Sequence, residues 1–118
     1  MMITAAMLKL VEEAGTDVLV LVEGVEQAEL VRSRLTRSEV RHQLVLMART
    51  LASLPPAVHA ALPEIDWAGW RGVEQALATA GAAQDDALWF ATQSLVPATL
   101  SWLRVYRREQ PALFAFTA

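Results

Sequence analysis

A chain of 118 residues suits one domain, 1–118, and its 54% apolar share is enough to build a core without staples. The absence of cysteine excludes disulfides, thiolate metal sites and cysteine nucleophiles. A net charge of −3 lacks the basic excess through which non-specific nucleic-acid binders neutralise phosphates.

The opening stretch has no basic residues ahead of an apolar run, and Glu12 and Glu13 interrupt it, so no signal peptide is expected. No uninterrupted apolar run of about 18 residues is present, so no membrane span is expected, and the lack of cysteine fits the cytoplasmic location expected here. Ile3, Met7, Leu10, Ala14, Val18 and Leu21 recur at helical spacing and predict a helix from Ile3 to Glu23. Gly15 costs that helix about 1 kcal/mol relative to Ala. Val18 to Val22 also fits a buried strand, but no second strand-like run exists to pair with it.

Gly24 breaks the pattern, and Val25 to Leu35 reads as a short charged helical segment. Thr36-Arg37-Ser38-Glu39 has the form of a capping box. The helix predicted after it carries Val40, Leu44, Met47, Ala48, Leu51 and Leu54 on one face, the clearest amphipathic pattern in the chain. Pro55-Pro56 ends it, Pro56 starts a short helix, and Pro63 ends that one.

Asp66 is a natural N-cap for a helix from Trp67 to about Ala80, followed by a loop at Gly81-Ala82-Ala83-Gln84. Asp85 or Asp86 then caps a last long helix, Ala87 to about Arg108, which Pro97 should kink. The tail through Phe116 is too apolar to stay in water and is expected to pack. Helix throughout predicts an all-α, antiparallel up-down bundle.

Leu62-Pro63-Glu64-Ile65-Asp66-Trp67 resembles a signature of HepT-like (HEPN) ribonucleases, in which Pro-Glu-Ile-(Pro/Asp)-Trp stands between an amphipathic helix and the catalytic helix. The helix around Leu44 followed by Leu54-Pro55, the Trp89-Phe90 pair, and Leu95-Val96-Pro97 through Leu100 are similar to flanking parts of that family. The resemblance covers about Met7 to Arg108. It implies a homodimer with the catalytic helices at its interface, here Trp67, Trp70, Val73 and Leu77. It also implies a nucleotidyltransferase-type (MNT) antitoxin partner and action on RNA without a cofactor or metal.

The family's catalytic pattern is Arg-Asn-x-x-x-His-x-Tyr. Its Arg and His would stabilise charge on a phosphodiester and move protons near neutral pH. With Gly72 on the family's Gly, Glu74 replaces the Arg, Gln75 the Asn, Thr79 the His and Gly81 the Tyr. Starting the pattern at Arg71 puts Ala76 where His must stand. A carboxylate in place of the Arg repels phosphate. A non-catalytic protein acting by contact is therefore expected. The alternatives are an RNA-cleaving enzyme with relocated groups (Arg71, His42 or His59) and a small-ligand-binding bundle.

His42 and His59, the only histidines, show no partners at ligand or triad spacing. Arg32, Arg34, Arg37 and Arg41 form a basic cluster, read as a solvated face balanced by Glu29 and Glu39 rather than as a phosphate strip. Arg104, Arg107 and Arg108 complement a helix C-terminus. The four tryptophans are expected in core or interface rather than as a base-stacking platform.

Overall fold

The computed structural model describes residues 2–116, and these form helices with no strand among them. Helix α1 spans Met2–Val22, α2 Gln27–Arg32, α3 Arg34–Ala52 and α4 Pro56–Ala61. Helix α5 spans Trp67–Leu77, α6 Ala82–Phe90 and α7 Val96–Glu109. A π-helical turn, Ala91–Leu95, joins α6 to α7, and a 3-10 turn, Pro111–Phe114, follows α7. No helix of the described residues is long and apolar enough to cross a membrane.

The Val18 to Val22 run is helical, as the absence of a pairing partner requires. α1 closes near Gly24, whose φ of 72° suits a residue without a Cβ. Gly15, costly inside a helix, is where α1 meets α3 and α7. A Cβ there would lie 2.9 Å from Leu100 Cδ2 and 3.0 Å from Met47 Cε. The amphipathic face of α3 packs as its spacing predicts, with Val40, Leu44, Met47 and Leu51 fully buried.

The capping box expected at Thr36 is displaced. α3 starts earlier, at Arg34, where the Ser33 hydroxyl accepts from Thr36 N at 3.4 Å. Glu39 instead accepts from Gln43 Nε2 (2.9 Å). The box forms one helix upstream, where Glu29 accepts from Glu26 N at 3.3 Å. The Ser/Thr-x-x-Glu pattern fixes a helix start only when nothing better lies just ahead of it, and Ser33 does.

The last third differs most from expectation. α5 stops at Leu77 rather than near Ala80. The Leu77 carbonyl, which another turn would use, accepts instead from Arg41 and Gln84. Ala82 to Gln84 are helical, not loop, so Gly81 (φ 129°) precedes α6 and Asp85 and Asp86 lie inside it. The expected kink at Pro97 takes the form of the π turn, in which Val96 N–H donates to Ala91 O. Pro97 has no N–H to give to the carbonyl four residues back, and its ring crowds that oxygen. The wider turn absorbs both effects. The tail packs in part: Leu113 and Phe114 are buried, with the Arg107 guanidinium 4.7 Å over the Phe114 ring, while Phe116 stays exposed.

Candidate functional site

The stretch that carries the family resemblance folds as a corner between α4 and α5, and most of its side chains have a structural role. Ile65 is buried. Glu64 N–H donates to the Tyr106 hydroxyl (3.0 Å), which in turn donates to Glu64 Oε2 (2.6 Å). Asp66 caps α5 by accepting from Gly69 N at 2.8 Å. Trp67 Nε1 donates to Leu62 O (3.1 Å), and its ring stacks on His59 with centroids 3.9 Å apart.

Three of the four residues expected at an α5 interface are packed inside the single chain. Trp70 is 2% exposed, Val73 4% and Leu77 0%, all within the core of the single chain. Trp70 Nε1 donates to Thr99 Oγ1 (3.0 Å), which donates to Leu95 O. The apolar face of α5 is thus spent on α3, α6 and the π turn. Of the four residues only Trp67 keeps part of its surface.

The positions aligned with the catalytic pattern do not share one helix. Glu74 and Gln75 lie on α5, while Thr79 and Gly81 lie beyond its end. Glu74 faces α3, where Arg49 Nε lies 3.8 Å from its Oε2. The Thr79 carbonyl accepts from Gln84 Nε2 (3.4 Å).

Two hollows lie along the α3–α5 groove, with Glu74 in the wall of both. One, of about 190 Å³, is lined by His59, Trp67, Arg71 and Glu74. The other, of about 310 Å³, is lined by Arg41, His42, Arg49 and Glu74. The fold therefore brings Arg71 and His59 to one hollow and places His42 in the next. His59 Nε2 lies 2.8 Å from Leu51 O, a pure acceptor, so Nε2 carries the proton and only Nδ1 of the neutral ring is left to accept. No group of three His, Cys, Asp or Glu side chains gathers as a metal site would need, among the described residues.

The arginines near the start of α3 are not the balanced face that the sequence predicts. Glu29 is occupied with Glu26 N and Glu39 with Gln43. Arg37 pairs instead with Asp85 and donates to Gln84 Oε1 at 3.0 Å. Arg41 donates twice to Leu77 O, from Nε at 3.1 Å and Nη2 at 2.8 Å. Together with Arg32 and Arg34 they line a cleft of about 410 Å³. The signal for this lies in the sequence: Arg34, Arg37 and Arg41 follow helical spacing and share a face, and no acid occupies the first turn. What sequence does not supply is Gln84 and α6 as the far wall. Near the end of α7, Arg107 pairs with Glu12 of α1. Set against family models, curated proteins and solved structures, the chain matches none of them.

Proposed function

We propose that this chain is a non-catalytic helical protein of HepT-like descent that acts through contact, with a second copy of itself and with a nucleotidyltransferase-type partner in a cytoplasmic setting. One observation carries the reading. The helix that would bear the catalytic pattern ends at Leu77, short of Thr79 and Gly81, and Glu74 stands in the cation's place facing Arg49. A phosphodiester in that groove would meet a carboxylate, and no imidazole lies a turn further along the same helix.

The antiparallel up-down order belongs to the same reading. Gly15 faces Leu100 while Glu12 pairs with Arg107, the sequence order that oppositely running helices give. With Trp70, Val73 and Leu77 packed inside the chain, α1 offers apolar surface for such a contact. Ile3 (78% exposed) and Leu10 (39% exposed) project from one side of α1, three and four residues from Ala6. Light scattering tests the self-contact. A mass near twice 12.9 kDa that falls to one chain in Leu10→Asp supports it, and one chain's mass at every concentration rules the homodimer out.

A second reading, an RNA-cleaving enzyme with relocated groups, draws on the shared hollow of Arg71 and His59. It requires His59 Nδ1 to take a proton while the ring stays stacked on Trp67 and bonded to Leu51 O.

A further inference from the structure

The hollow of about 190 Å³ between α3 and α5 holds polar groups of both signs that the fold leaves unused. The ion pairs among the described residues are Arg37–Asp85, Arg49–Glu74 and Arg107–Glu12. Arg71 is in none of them and makes no side-chain hydrogen bond to a described residue. Arg71 and Glu74 stand three residues apart on α5, where opposite charges are neighbours and often pair, yet no ion pair joins them. Glu74 has only the 3.8 Å approach of Arg49, whose side chain is 74% exposed. In the neutral His59 ring Nε2 is taken by Leu51 O, which leaves Nδ1 as a free acceptor.

The rest of the wall is apolar and held in place. Trp67 is bonded at Nε1 to Leu62 O and His59 at Nε2 to Leu51 O, and the two rings stack 3.9 Å apart. Neither ring turns without giving up its hydrogen bond, so the wall exists before a ligand arrives. Ala48 and Ala52 of α3 complete it. The space is that of roughly six waters at ~30 Å³ each, and it suits a molecule of about six or seven non-hydrogen atoms. Larger ligands take sites of roughly 300 Å³ or more. Charge narrows the class further. A lone anion would meet the Glu74 carboxylate, and a lone cation would meet the Arg71 guanidinium. A small molecule that carries both charges close together answers both.

We propose that this hollow binds a small free α-amino acid of the size of alanine or serine. The ligand carboxylate lies on Arg71, whose planar fork matches it. The ammonium lies on Glu74 and donates to His59 Nδ1, and the short side chain lies against Ala48 and Ala52. The carboxylate that repels a phosphodiester is the group that holds this ligand. The site depends neither on the self-contact of α1 nor on the chain's descent.

Calorimetric titration of the whole chain with L-alanine, L-serine, propionate and ethylamine tests it, the last two each carrying one of the two charges. L-alanine or L-serine binds about tenfold or more tightly than either single-charge fragment. Glu74→Gln and Arg71→Met each weaken the amino acid by about tenfold or more. Both variants melt like the wild type, since Arg71 joins nothing and the Arg49–Glu74 pair is long and lies at the surface. Ala52→Leu, at the end of α3, fills the hollow and removes binding. L-phenylalanine binds more weakly than L-alanine, because its ring overfills the space. No binding of L-alanine or L-serine overturns the proposal. Binding that both Glu74→Gln and Arg71→Met leave intact places the ligand elsewhere and overturns it as well. Propionate bound as tightly as L-alanine makes the hollow an anion site and rules the amino acid out, and tighter binding of L-phenylalanine contradicts the assignment by size.

Discussion

The Tyr106 hydroxyl and Glu64 are bonded in both directions, the phenol accepting from the Glu64 backbone N–H and donating to its carboxylate. This ties the corner between α4 and α5 to α7, 42 residues along the chain. Burial, and then the bond to the Glu64 carboxylate, push the phenol from its ordinary 10.0 up to about 12. Tyr106 is the chain's one tyrosine, so phenolate absorbance reads it alone. The expected half-titration is near 12 in the folded chain, and Glu64→Ala lowers it only in part because burial is the larger cause. Between pH 10 and 12 the folded state holds a proton that the unfolded state has released. The stability this contributes is complete below pH 10 and is lost as pH rises through 12. Tyr106→Phe should remove that fall and cost about 1–2 kcal/mol, measured by urea unfolding, because Glu64 N–H loses its acceptor.

Asp66 holds the start of α5 through Gly69 N. Asp66→Ala should cost about 1 kcal/mol. In a domain of this size that lowers the melting temperature by about 4 °C. Asp66→Asn should keep most of the stability, since an amide oxygen caps as well as a carboxylate.

Arg41 is expected to matter for stability. Its two bonds to Leu77 O join α3 to the end of α5, where Gln84 also reaches. Arg41→Ala should cost about 1.5–3 kcal/mol, toward the lower value because Gln84 remains. Arg41→Lys should recover part of it, a single ammonium replacing a two-nitrogen fork. Chemical denaturation of the three proteins gives the order directly.

Gly15 separates helix propensity from packing. Gly15→Ala gains about 1 kcal/mol of propensity and crowds only the movable ends of Leu100 and Met47, so the net change should stay within about 1 kcal/mol of zero. Gly15→Leu overfills the contact and should cost about 1–3 kcal/mol.

The sequence made the helices legible where one signal dominated: the stripe of α3, the prolines around α4 and the Asp66 cap. It was less legible where a distant side chain decided the outcome. Nothing near Leu77 announces that α5 ends there, because the groups holding its carbonyl come from α3 and α6. That contact shortened α5, turned the expected loop into the start of α6, and gave Gln84 its buried place. The same limit applied to the sites. The mismatch with the Arg and His of the resembled pattern is legible directly, whereas the burial of Trp70, Val73 and Leu77 depends on how many helices pack around α5. The helical spacing of Arg34, Arg37 and Arg41 is legible in the sequence, but the acidic total and the nearby Glu29 and Glu39 point to a solvated face. In space each is engaged by its own helix.

RNA cleavage by the purified chain tests the central claim most directly, with Arg71→Ala and His59→Ala beside it. The account predicts no cleavage in the wild type under conditions where a HepT-like nuclease with its Arg and His intact degrades the same RNA. Cleavage by the wild type that either substitution abolishes would contradict it and place a working site in the hollow between α3 and α5.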